Sequence, residues 1–147
     1  MSLTSAKGYL LDTNISSEAT KAKPSSVLAE FLADIDLRDL FISAISIGEI
    51  SRGIAIAPAE KRVPLSAWLR RDIYQRHAGR ILPLDEHVMD PWGKMIAVTG
   101  KRLGQLPVFD GLIAATALHY RLTGVPRNST DFALFGVPQI NPFETPL

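Results

Sequence analysis

Hydrophobic positions along this chain fall into two alternating rhythms, short continuous apolar runs and longer stretches with helical spacing. Gly8 to Leu11 is an apolar run that predicts a first buried strand. Ser25 to Ile35, opened by Pro24, predicts a helix that carries Val27, Leu28, Phe31, Leu32 and Ile35 on one face. Asp39 to Ile42 reads as a second strand, and a helical pattern follows from about Ile45 to Ile54. A further helix begins near Pro58, because a proline in the first turn loses no hydrogen bond. Arg80 to Leu84 is the third strand expected. The helical region after it contains Asp90-Pro91, so either the helix starts there with Asp90 as its cap or its first turn is distorted. Gly104 and Pro107 are expected to end it. Asp110 then opens a helix with Leu112, Ile113, Thr116, Ala117 and Tyr120 at helical spacing, and Gly124 to Arg127 and Pro138 to Ile140 are the last strand candidates. Strands alternating with helices predict a parallel sheet covered on both faces.

Length and composition add limits. With 147 residues, 46% of them hydrophobic, the chain can bury one ordinary core and is expected to form a single domain over residues 1–147. Met1 to Lys7 is small and polar, and reads as a loose terminus. There is no internal repeat, low-complexity segment or linker. The net charge of +1 identifies no partner, but residues 61–80 hold 6 basic side chains and 1 acidic one, whereas residues 1–60 hold 5 and 8. The absence of cysteine excludes disulfides and thiolate metal ligands, and fits a reducing compartment. No run approaches the roughly 20 apolar residues of a membrane span, and no signal-peptide core opens the chain. A soluble, cytoplasmic protein is expected.

The candidate chemistry lies in acids at element junctions. Asp12 directly follows Tyr9-Leu10-Leu11, at the carboxyl end of the first strand, where open α/β sheets place their sites. Glu49 lies off the Ile47, Ile50 and Ile54 stripe of its helix, beside the small residues Ser46 and Gly53 that would leave it reachable. Asp110 stands at a helix start, and Asn128 and Asp131 lie in a polar turn after a strand. Singly, each has an ordinary explanation as a turn, cap or solvated residue. In a parallel sheet, however, the ends of the first and fourth strands and the adjoining helix starts share one edge. Carboxylates gathered there repel by about 1 kcal/mol per pair at ~4 Å in water, and by several times that in a partly buried cleft. A divalent cation removes that penalty. The donors are all oxygen, which favours Mg2+ or Mn2+ over zinc. His77, His87 and His119 are scattered along the chain and read as surface or structural. Trp68 and Trp92 are candidates for base stacking, with core packing the stronger expectation.

Four segments carry a resemblance. Leu-Leu-Asp12-Thr13-Asn14, then Ser43-Ala44-Ile45-Ser46-Ile47-Gly48-Glu49-Ile50 with Gly53, then Phe109-Asp110-Gly111-Leu112-Ile113-Ala114-Ala115-Thr116-Ala117, then Arg127-Asn128-Ser129-Thr130-Asp131-Phe132 resemble the PIN-domain family. Their spacing, with the later Asn141-Pro142-Phe143, is most similar to VapC/FitB-type toxins of bacterial toxin–antitoxin pairs, and the likeness runs from about Gly8 to Phe143. It implies a three-layer α/β/α sandwich with a central parallel sheet, a Mg2+- or Mn2+-dependent ribonuclease acting on RNA, a homodimer, and inhibition by a cognate antitoxin. Apolar residues of the helices from Ser25 and Pro58 are candidates for the dimer patch.

Position by position, Asp12, Glu49 and Asp110 match the family's acidic ligands, and Thr13 and Asn14 match the polar positions that support the first aspartate. Relatives place the fourth acid either where Asn128 stands or slightly later, as Asp131 does here. The expectation takes Asp131 as the charged ligand and Asn128 as its neutral neighbour. Pro126 departs from a threonine common in relatives, which removes a hydroxyl and a backbone donor. On this reading one or two ions held by Asp12, Asp110 and Asp131, with Glu49 directly or at one remove, activate a water against the scissile phosphate and leave a 5′-phosphate and a 3′-hydroxyl. Arg127 is a candidate for phosphate or for a structural ion pair. Arg70, Arg71, Arg76 and Arg80 are candidates for the RNA backbone or for a solvated helix face. The competing reading, prompted by Asn128 and Pro126, is a PIN-fold protein with impaired catalysis that binds RNA or an antitoxin. A haloacid-dehalogenase-like phosphatase is disfavoured because Asn14 stands where its second acid is needed.

Overall fold

The computed structural model describes residues 8–21 and 23–144. The expectation for Met1 to Lys7 lies outside them. The strands are β1 (Tyr9–Leu11), β2 (Leu40–Ser43), β3 (Ile81–Leu82) and β4 (Thr123–Val125). The helices are α1 (Thr13–Ala19), α2 (Ser26–Ala33), α3 (Ala44–Ala55), α4 (Ala59–Trp68), α5 (Glu86–Thr99), α6 (Val108–Tyr120) and α7 (Ser129–Ala133). The strands form one sheet in the order β3-β2-β1-β4, and every neighbouring pair is parallel. Beyond β4, Gln139 makes an isolated parallel bridge to Gly124.

Burial explains why the first strand reads as a continuous apolar run. Leu10 packs with Ile113, Ala114, Ala117 and Phe132 on one face of the sheet, while its neighbour Leu11 packs with Ile15, Ile42, Ile50 and Ile73 on the other. Successive side chains of a strand point to opposite faces, so a sheet covered on both sides needs apolar residues at every position. The result is the expected α/β/α sandwich. The inner face of α2 joins this core through Leu28, which is fully buried, and through the partly buried Phe31 and Leu32, with Ile35 packing just beyond the helix. Of the residues proposed for a dimer patch, Leu28 is therefore core, Phe31, Leu32 and Ile35 are partly buried, and Val27 on α2 and Val63 on α4 are exposed.

Several boundaries differ from those read in the sequence. α1 was not expected, since Thr13-Asn14-Ile15-Ser16-Ser17-Glu18-Ala19 has one large apolar residue; the helix nonetheless buries Thr13, Ile15 and Ser16. The third strand covers only Ile81–Leu82. α5 starts before Asp90, with Asp85 as the cap that accepts the His87 N–H at 3.0 Å, so Pro91 sits inside the helix in its second turn. It ends at Thr99, where Gly100 takes a left-handed φ of 69°, so Gly104 and Pro107 lie beyond its end. α6 opens at Val108 after Pro107, which places Asp110 within its first turn and not at its cap. Of the last two strand candidates, one shortens to Thr123–Val125 and the other contributes only the Gln139 bridge.

The helix from Pro58 continues as a π-helical stretch, Leu69–Gln75. His77 follows it and is buried, its Nδ1 2.9 Å from the Ile73 carbonyl oxygen. Burial lowers its pKa, against the opposing effect of that carbonyl, and Arg80 and Arg76 lower it further. His87 and His119 are not scattered in space: they stack across α5 and α6 with ring centroids 5.8 Å apart. Trp68 is half-buried and donates from Nε1 to Thr20 Oγ1 at 3.0 Å, and Trp92 packs against Gly111.

Gly124 is a close-approach position in β4, where an added Cβ would lie 2.4 Å from Cζ of Phe132, itself only 1% exposed. Gly124→Ala is expected to destabilise the fold by about 1–3 kcal/mol, as overpacking of a filled core does. Urea unfolding measures this, and stability equal to wild type would show that the Phe132 ring has room to move.

Candidate active site at the carboxyl edge of the sheet

Parallel pairing carries the first acid to the sheet edge and holds it there. The Asp12 N–H donates to the Val125 carbonyl at 3.1 Å, extending the β1–β4 ladder by one residue. Asp12 Oδ2 in turn accepts the Arg127 N–H at 3.1 Å. These two bonds bracket Pro126, which is buried. The flanking residues therefore supply the contacts to Asp12, and the donor that proline lacks is not needed in this pairing.

The second acid is held by a hydroxyl relay. Thr13 Oγ1 donates to Glu49 Oε1 and lies 2.7 Å from Ser46 Oγ. A threonine hydroxyl has one proton to give, so Ser46 is the donor in the second bond. Glu49 is half-buried and Ser46 fully buried. Ser46, expected only as a small neighbour that leaves room, is thus a working partner that ties α3 to α1. The i, i+3 spacing of Ser46 and Glu49 made them neighbours on α3, with Glu49 away from its isoleucine stripe.

The third and fourth acids sit in the first turns of α6 and α7. Burial, followed by the charges of Asp12, Asp131 and Glu49, pushes the Asp110 pKa up to about 6. Asp110 therefore feels all three of the other acids expected at the site. Asn128 caps α7: its Oδ1 accepts the Asp131 N–H at 3.1 Å, and its Nδ2 donates to Asp131 Oδ2 at 3.2 Å. Among the described residues no three His, Asp or Glu side chains form a ready-made chelating group. The protein contacts instead orient Asp12, Glu49 and Asp131 separately, through Arg127, Thr13 and Asn128. The donor set is oxygen throughout, which fits a hard divalent cation.

A family model described as "PIN domain" matches residues 9–136. The chain belongs to the PIN-domain family. It is 33% identical over 135 residues to "Toxin FitB" of Neisseria gonorrhoeae, covering 91% of this chain and 97% of that protein. It is 32% identical over 139 residues to "VapC ribonuclease Y4jK" of Sinorhizobium fredii, covering 92% and 97%. The crystal structure of FitAcB from Neisseria gonorrhoeae superposes with a TM-score of 0.82 at 33% identity, over 93% of this chain and 99% of that one.

In this PIN domain an open groove of about 1040 Å³ has Glu49 in its lining, together with Thr13 and Asn14. Lys21, Arg52, Lys61 and Arg71 also line it, as does Trp68. Lys21 and Arg52 were not singled out in the sequence, although Arg52 follows Glu49 at the i, i+3 spacing of one helix face. The basic segment divides. Arg71 reaches the groove while pairing with Asp72 at 2.9 Å, and Arg70 is exposed. Arg76 lines a separate hollow of about 340 Å³. Arg80 donates to the carbonyl oxygens of Leu37 and Leu40, at 2.8 and 2.7 Å, and to that of Arg76, which makes it a structural residue. The Arg127 guanidinium lies over the Phe143 ring, 4.4 Å from its centroid.

A carboxyl whose pKa is raised by folding holds its proton more tightly in the folded state. Its contribution to stability is complete below the ordinary value of 3.8 and is lost as pH rises through about 6. In the presence of a chelator, the melting temperature of Asp110→Asn minus that of wild type should therefore grow as pH is raised across this window. Thermal melts at a series of pH values read the gap, and a constant gap would mean that Asp110 ionises as freely in the fold as in the unfolded chain.

Proposed function

We propose that this chain is a divalent-metal-dependent endoribonuclease and the toxin of a toxin–antitoxin pair, acting as a single cytoplasmic PIN-like domain. The observation that carries the proposal is the placing of Asp12, Glu49 and Asp131 near a half-buried Asp110, whose pKa burial first and then these three charges push up to about 6. Identities of 33% and 32% to proteins named as a toxin and as a VapC ribonuclease support it. Among the described residues no helix is long and apolar enough to cross a membrane. The partners proposed are an RNA substrate, a cognate antitoxin and a second copy of the chain.

Asp12, Asp110 and Asp131 would hold Mg2+ or Mn2+, with Glu49 directly or at one remove. When bound, the ion supplies Lewis-acid polarisation of the scissile phosphate and lowers the pKa of an attacking water. The side chains around these acids set their orientation. Thr13, with Ser46 behind it, fixes Glu49, the Arg127 amide fixes one oxygen of Asp12, and Asn128 fixes Asp131. Asn14 and the cations Lys21, Arg52, Lys61 and Arg71 line the groove in which an RNA backbone would lie. Hydrolysis by in-line attack leaves a 5′-phosphate and a 3′-hydroxyl.

The competing reading, a binding protein with impaired catalysis, started from Pro126 and Asn128. Both departures have local compensation that favours the catalytic reading. The bonds on either side of Pro126 are made, and Asn128 serves as cap and donor to the acid three residues later.

Asp12→Asn and Asp110→Asn should each reduce Mg2+-dependent RNA cleavage by at least about 100-fold, the upper end of what even indirect partners of a metal cost, with far-UV circular dichroism unchanged. Cleavage at the wild-type rate in both variants would sink the nuclease assignment. In a second experiment, titration calorimetry with Mn2+ should rank Asp131→Asn as more damaging than Asn128→Ala. The reverse ranking would transfer the fourth ligand to residue 128.

A further inference from the structure

We propose that Asn141 is a positioning residue for Asp12, acting through the backbone of Arg127. The inference rests on the reading of Asp12 as a metal-binding acid. Arg127 is exposed, and it contacts Asp12 through its main chain, N–H to Oδ2 at 3.1 Å. An exposed main-chain donor aims at one carboxylate oxygen only if the peptides around it are held. On its amino side that is the work of Pro126, whose ring fixes φ. On its carboxyl side the holding group is Asn141, whose Nδ2 donates to the Arg127 carbonyl oxygen at 3.1 Å.

Asn141 can do this because it is itself anchored at both ends of its carboxamide. Its Oδ1 accepts the Phe143 N–H at 2.9 Å, and its Nδ2 also reaches Glu144 Oε2 at 3.2 Å. The Phe143 ring packs against the core that contains Leu11 and Ile15, and its face carries the Arg127 guanidinium. Upstream, the Ile140 N–H donates to the Gly124 carbonyl at 2.9 Å, which ties the segment to β4. A second tie runs from Ser129, whose Oγ donates to Glu144 at 2.6 Å. The path is therefore continuous: a segment fixed to the core by Phe143 and to the sheet by Ile140 presents an amide to Arg127, and Arg127 presents its amide to Asp12. The position calls for a donor and an acceptor on one short planar group. An aspartate lacks the donor, and a leucine of the same shape lacks both.

The test uses the full chain and Mn2+ alone as the probe, followed by steady-state RNA cleavage. Asn141→Leu, neutral and close in size, should weaken Mn2+ binding by about 10-fold and lower kcat while KM for RNA stays unchanged, as expected for loss of a group that orients a ligand. Ser129→Ala, which cuts the second tie and leaves Asn141 intact, should move Mn2+ affinity in the same direction by less. A purely structural role predicts something different: lower melting temperatures, but wild-type Mn2+ affinity and kcat in the folded variants. That result overturns the inference. If Asn141→Leu does not fold, Ser129→Ala decides alone, and unchanged affinity there overturns it. A wild-type protein that takes up no Mn2+ would overturn the metal reading of Asp12, and the positioning role with it.

Discussion

Parallel pairing of β1 with both β2 and β4 is the constraint from which the site follows. Every strand in such a sheet delivers its carboxyl end to the same edge, so the residue after β1, the helix after β2 and the turn after β4 meet there whatever their sequence. The same geometry places helix amino-termini at that edge, with Asp110 in the first turn of α6 and Asp131 in the first turn of α7. A helix amino-terminus favours an anion by about 0.3–1 kcal/mol. At Asp110 this is not enough: burial and three neighbouring carboxylates win, and the pKa stands near 6. Burial and neighbouring charge together outweigh the helix dipole at Asp110, and under the proposed function a cation would offset them.

The parts of this arrangement that were legible in the sequence are those governed by burial. Leu10 and Leu11 both had to be apolar because the sheet is covered on both faces, so β1 was visible. The stripe of Ile47, Ile50 and Ile54 showed which face of α3 goes inward, and by difference where Glu49 points. What stayed hidden depends on hydrogen bonds. α1 is short and polar, and Thr13 and Ser16 are buried in it because their hydroxyls find partners in Glu49, Ser46 and the Asp12 carbonyl. No hydrophobic pattern records such a helix. The start of α5 differs from the expectation for a related reason. Asp90-Pro91 carries the stronger helix-start signal, but Asp85 holds the cap, and a proline in the second turn removes a single backbone bond.

Charge behaved in the same way. The cluster of cations in residues 61–80 is real in sequence, but folding assigns its members to different tasks. Arg80 bonds three carbonyl oxygens, Arg71 is half-engaged by Asp72, and Arg70 is exposed. Of the cations that line the groove beside Glu49, Lys61 and Arg71 belong to that cluster, and Lys21 and Arg52 come from elsewhere in the chain. A count of charges along a sequence cannot separate a guanidinium already committed to carbonyls from one left to face a polyanion.

The turn after β4 shows why an amide suits position 128. Residue 128 must accept the Asp131 N–H to cap α7, a task that aspartate and asparagine perform equally well. It also faces Asp131 Oδ2 at 3.2 Å. An aspartate there would set two carboxylates against each other in a site already crowded with negative charge, whereas asparagine turns the same approach into a hydrogen bond. The amide at 128 and the acid at 131 are therefore coupled: with a carboxylate at 131, the cap at 128 is better neutral. Asn141 obeys the same logic on the other side of the turn, where one carboxamide must give a proton to the Arg127 carbonyl and accept one from Phe143. In both places the requirement for a donor and an acceptor on one short side chain, next to a cluster of acids, selects asparagine.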